Sequence, residues 1–181
     1  MKSWRLGAVA IIFFAVHAGY HAARGSPENA VWMCHLATLG IGVGLIGRWP
    51  ALNAIGVLWL AAGVPLWMVY LAAGGEFFPT SILPHVGGLA LGVVGLTRLG
   101  APAGVWAAAL VALIVLVLAC RVATPERADV NLAFTIWPAQ GAISLAHIGT
   151  VVVAFLLMVA LFLGLERGLL WAGVTAPGRV I

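Results

Sequence analysis

ALNAIGVLWLAAGVPLWMVYLAAG, residues 51–74, runs for 24 residues without a charged side chain and with a single amide, Asn53. At 1.5 Å per residue a helix of that length reaches about 36 Å, enough to cross the ~30 Å hydrocarbon core of a bilayer. Pro65 does not disqualify it, because membrane helices accept proline where neighbouring helices satisfy the freed carbonyl.

Reading outward, the charged and Pro/Gly breaks separate five more apolar runs. The six spans are Leu6 to Ala23, Ala30 to Gly47, Ala51 to Gly74, Pro79 to Thr97, Val105 to Val122 and Pro138 to Leu165. The stretch Asn131 to Gly141 is set apart as a separate short or re-entrant element. Composition agrees with this reading, since 64% of the 181 residues are hydrophobic and only 8% charged, against about a quarter charged in a soluble domain. So few charges cannot cover a water-facing surface, and lipid must be the solvent for most of it. The chain is therefore read as all-α, a polytopic transmembrane bundle of about six helices forming one integral membrane domain over residues 1–181.

The nine basic residues stand singly at helix ends, which excludes a nucleic-acid patch and gives the topology instead. With the amino terminus cytoplasmic, Lys2, Arg5, Arg48, Arg98, Arg167 and Arg179 lie inside, and Arg24, Arg121 and Arg127 outside. Glu28, Glu76, Glu126 and Asp129 then fall outside and only Glu166 inside. Both termini are cytoplasmic on this reading, and the expected location is a bacterial inner membrane. Met1 to Gly25 has the start of a secretory signal, but bulky His21 at the candidate exit favours an uncleaved anchor. Gly40 with Gly44, and Gly88 with Gly92, have the spacing that lets helices approach closely.

On this topology all five histidines fall in the exoplasmic half. His17 and His21 end the first helix, His35 opens the second, His85 follows Pro84 at the start of the fourth, and His147 sits in the outer half of the last. Histidines four apart share a helix face and can bind one ion together. His17, His21, His35, His85 and His147 are accordingly the candidate metal ligands, with Glu28, Glu76 and Asp129 as carboxylates that orient or ligate from the loops. Imidazole nitrogen admits zinc, copper, iron or nickel without separating them. Haem b is the special case, clamped between His35 and His85 or His147. Against this stands the plainer role of a membrane histidine as a hydrogen-bond donor between helices.

A different chemistry starts from Cys34, with His85 as the base from another helix. Trp32-Met33-Cys34-His35-Leu36, Phe77-Phe78-Pro79 with Leu83-Pro84-His85, and Asn131-Leu132-Ala133-Phe134 leading to Trp137-Pro138 resemble the transmembrane cysteine-histidine acyltransferases of ether-phospholipid synthesis and their bacterial YwaF-like relatives. The resemblance covers residues 31–138. It implies that Cys34 carries an acyl group and that His85 is its catalytic partner. The chain departs from that pattern in being smaller and in adding His17, His21 and His147.

Three readings follow: a metal or haem-iron site for membrane-embedded catalysis or redox chemistry, a metal-independent Cys-His lipid acyltransferase, and a non-catalytic subunit or scaffold. Expected partners are membrane lipids and other membrane subunits, with no nucleic acid. Transport is disfavoured because the inner half of the bundle offers almost no polar path. Substrate or metal is expected from the exoplasmic face, past a rim formed by Arg24 to Asn29, Gly75 to Thr80 and Ala123 to Val130. Trp4, Trp49, Trp137 and Trp171 fit an aromatic belt. Cys34 and Cys120 are expected as free thiols.

Overall fold

The structure, a computed structural model, describes residues 2–136 and 145–174. It is an all-α helical bundle built from α1 (Ser3–Ala23), α2 (Met33–Gly47), α3 (Pro50–Ala72), α4 (Gly88–Leu99), α5 (Val105–Ala123), α6 (Ala133–Ile136) and α7 (Leu145–Trp171). Two preceding turns, Pro79–Ser81 and the π-helical Leu83–Gly87, extend α4 into one span, Pro79–Leu99. Among the described residues five helices are long and apolar enough to cross a membrane: α1, α3, the α4 span, α5 and α7.

α2 is the exception. A 3-10 turn over Pro27–Val31 replaces the expected first turn, so the α-helix has 15 residues, or about 22 Å, short of the hydrocarbon thickness. The last helix departs the other way. Its expected start at Pro138 lies outside the described residues, and its end passes Leu165 to Trp171. Glu166 was expected to stop it. Instead the carboxylate turns inward, 3% exposed, and accepts the Gly104 N–H and the Trp106 N–H at the start of α5. A carboxylate at a helix N-terminus is favourable, because orphan N–H donors and the positive end of the macrodipole meet there.

Packing begins with α1, α2 and α3, and α4 lies against all three. α5 and α7 pair with each other and with α3. Close approach depends on missing side chains. A Cβ on Gly7 would stand 2.6 Å from the Gly42 carbonyl oxygen, and one on Gly56 would stand 2.7 Å from the Ala37 carbonyl oxygen. Gly44 and Gly92 serve the same purpose, whereas Gly40 makes only ordinary contact with Leu52. α5 and α7 leave Val111, Val115, Leu118, Val152, Phe155, Leu156 and Leu157 exposed, an apolar surface that fits a membrane protein.

Gly56→Ala is therefore expected to destabilise the α2–α3 pair by about 1–3 kcal/mol, the usual cost of overpacking. Gly19→Ala, where a Cβ meets nothing within 4 Å, should be neutral or stabilising. Thermal unfolding of the two variants in one detergent checks the contrast, and equal shifts would refute the close-approach account.

Candidate metal centre

The centre forms where α1 ends and α2 begins. His17 and His21 project from one face of α1, at 1% and 3% exposure. The chain turns back through Pro27–Val31, and α2 starts against the same face, bringing His35 to them. His17 Nε2 lies 3.0 Å from His35 Nε2 and 3.2 Å from His21 Nε2. One ring nitrogen from each of the three lies within 4.8 Å of the other two. This buried triad can hold a metal ion.

The opposite ring nitrogens are anchored. His35 Nδ1 is 2.8 Å from the Asn29 carbonyl oxygen, and His17 Nδ1 is 2.8 Å from the Thr80 hydroxyl. A carbonyl only accepts, so His35 Nδ1 carries the proton and its Nε2 presents a lone pair to the cluster. Thr80 can give or take, so His17 can adopt either tautomer. When His17 is protonated on Nδ1, two lone pairs face each other across 3.0 Å, a contact that a shared cation relieves; with the proton on Nε2 the same contact is a hydrogen bond to His35. Two nitrogens bound tetrahedrally to a metal at about 2.05 Å lie about 3.3 Å apart, close to the two spacings found. A histidine held at its other nitrogen by a carbonyl or hydroxyl is the usual arrangement behind a metal ligand.

His85 stands beside the triad, its ring 5.6 Å from that of His35 and stacked on Trp67 of α3 at 4.5 Å. Its position follows from Pro84. Proline has no N–H for the helical ladder, and the backbone widens into a π-turn over Leu83–Gly87. The carbonyls around the turn are met by side chains: His85 Nδ1–H donates to Ser81 at 2.7 Å, and the Thr38 hydroxyl donates to Pro84 at 2.8 Å.

His147 is not brought to the triad. Its Nε2 donates to the Ile136 carbonyl at 2.9 Å, joining α7 to α6; α7 packs on α5 and α3, away from the α1–α2 pair that forms the cluster. Cys34, one residue from His35, rotates about 100° away from it around α2, and its Sγ packs on Gly63 of α3. Among the described residues no hydrogen bond joins Cys34 to His85. Cys34 and Cys120 are both free thiols. Trp137 and Pro138 lie outside the described residues.

The loop carboxylates are engaged elsewhere. Glu76 pairs with Arg24 at 3.1 Å, and Glu28 with Arg127 at 3.9 Å. Asp129 accepts from the Phe134 and Thr135 N–H groups at 2.7 and 3.0 Å and from the Thr135 hydroxyl. Burial works to raise its carboxyl, and these hydrogen bonds outweigh it, so the group sits below the ordinary aspartate range. Above the triad, Phe78 lies 5.2 Å from the His21 ring and under the Arg24 guanidinium at 5.4 Å. The orienting partners, Thr80 and the carbonyls of Asn29 and Ser81, had no signal in the sequence, since backbone carbonyls carry none.

No family model matches the chain, and neither a curated protein nor a solved structure is detectably similar to it. The functional reading rests on the geometry alone.

Proposed function

We propose that this integral membrane protein binds one transition-metal ion between His17, His21 and His35, in the exoplasmic half of the bundle, for membrane-embedded catalysis or redox chemistry. The observation that carries this is the convergence of three Nε2 atoms, with neighbours at 3.0 and 3.2 Å, backed by Nδ1 partners that suit a bound metal. The geometry favours a small ion over haem. A porphyrin clamped by His35 would need open space on its Nε2 side, and His17 Nε2 occupies that side. Elemental analysis and an absorption spectrum of chelator-free, detergent-purified protein test this. One equivalent of metal without a Soret band is expected, and a metal-free, colourless sample would overturn it.

A second reading keeps Cys34 and His85 as an acyl-transferring pair. What favours it is that Gly63, under the Cys34 thiol, and Trp67, under the His85 ring, are one turn apart on a single face of α3. Trapping with an activated acyl lipid separates the readings, because Cys34→Ser should then abolish labelling and leave metal content unchanged.

The exoplasmic placement carries its own expected result. Glu76→Cys, at a side chain 58% exposed, should react with a membrane-impermeant maleimide in intact cells, and Arg98→Cys should react only after lysis. The reverse pattern would move the centre to the cytoplasmic face.

A further inference from the structure

Deepening the metal-binding reading, on which it rests, we infer that the ion the triad selects is monovalent copper, held by nitrogen alone. The argument is one of charge. All three donors are neutral imidazoles on rings that are at most 6% exposed, and no thiolate or carboxylate belongs to the group.

The loops above the triad carry two acids, Glu28 and Glu76. Glu76 is paired with Arg24 and Glu28 with Arg127, and neither carboxylate belongs to the ligand group. A cation held there is bound without an anionic ligand of the group. The desolvation cost of an ion grows with the square of its charge, so a dication faces roughly four times the penalty of a monocation here. Neutral three-histidine sites that hold zinc offset this with a metal-bound hydroxide or a substrate anion in an open fourth position.

The polar partners of the triad, the Thr80 hydroxyl and the Asn29 carbonyl, are taken up at the Nδ1 atoms, and the rings packed on it include Phe78, 5.2 Å from His21, and His85, 5.6 Å from His35. Copper(I) is satisfied by two or three nitrogen ligands and needs no anion in a further position. The filled d-shell of copper(I) imposes no geometry that the spacings of 3.0 and 3.2 Å would violate. Cys34, the soft donor closest in sequence, is turned onto Gly63 and leaves the site purely imidazole.

The test uses the full chain in detergent micelles or nanodiscs, titrated anaerobically with copper(I) against a chromophoric copper(I) chelator and separately with zinc(II) against a zinc indicator. Copper(I) is expected at one per chain, bound at least about a thousandfold tighter than zinc(II), with an X-ray absorption edge of low-coordinate, nitrogen-bound copper(I). His21→Ala should weaken copper(I) binding at least about tenfold. His147→Ala, outside the group, should leave it unchanged, which separates loss of a ligand from loss of fold. Zinc(II) binding as tightly as copper(I), or sulfur in the copper shell, overturns the copper(I) assignment while leaving a metal site in place. Failure of both ions to bind overturns the metal-binding reading itself.

Discussion

His17→Ala is expected to remove nearly all bound metal, leaving less than about a tenth of the parent's content after purification. His17 is the shared member of the cluster: its Nε2 contacts both His35 and His21, and its Nδ1 meets Thr80. Without it only two ligands remain, His21 and His35, with their rings 5.9 Å apart. The side chain is also 1% exposed, so its truncation leaves a cavity and unmade hydrogen bonds, costing about 2–4 kcal/mol. Loss of metal through unfolding must be separated from loss of a ligand. An ion that binds only the folded chain raises its unfolding temperature by mass action. Added metal should therefore raise the Tm of the parent and leave the Tm of His17→Ala where it was. Thr80→Val removes only the partner of His17 Nδ1 and should cost about 10–100-fold in affinity at near-parent stability. If His17→Ala keeps its metal and its metal-dependent Tm, the triad is not the binding site.

Much of the bundle was legible because a bilayer imposes length and apolarity on a continuous stretch, and Ala51 to Gly74 meets both. Errors arose where a local interaction overrode that average. Residues 30–32 are apolar enough for a helix, yet Pro27 starts a 3-10 turn, and α2 waits until Met33. Glu166 looked like a boundary because the N–H groups of Gly104 and Trp106, which satisfy it, lie 62 and 60 residues away. The expectation that the histidines share one end of the bundle follows from alternating helix directions, a one-dimensional property. Which histidines meet is lateral, and the pattern holds little about it. The i,i+4 spacing of His17 and His21 put those two together. Nothing comparable separated His85, which sits beside His35, from His147, which belongs to α7, packed on α5 and α3. The Pro84 π-turn that sets His85 against Trp67 depends on Thr38 from another helix taking the displaced carbonyl.

The frame that fixes His35 leads to the largest expected effect on folding. Met33 opens α2, and its N–H, an orphan donor of the first turn, is met by Asn131 Oδ1 at 2.7 Å. The same amide donates from Nδ2 to the Val31 carbonyl at 2.9 Å and lies 3.2 Å from Cys120 Sγ on α5. One side chain thus ties the start of α2 to the loop before α6 and to the end of α5. Its backbone is left-handed, φ 57°, a conformation asparagine accepts more readily than alanine. Asn131→Ala should cost about 3–7 kcal/mol: two backbone groups lose their partners at about 1–3 kcal/mol each, and left-handed strain adds about 1 kcal/mol. Asn131→Gly should recover the strain component alone, and Asn131→Asp should keep the acceptor for Met33 while losing the donor to Val31. Unfolding midpoints are therefore expected to fall in the order parent, Asp or Gly, then Ala. Because His35 lies two residues beyond Met33, metal affinity should fall with the same series even in variants that remain folded. An alanine variant that unfolds with the parent and binds metal as tightly would mean that α2 holds its position without Asn131.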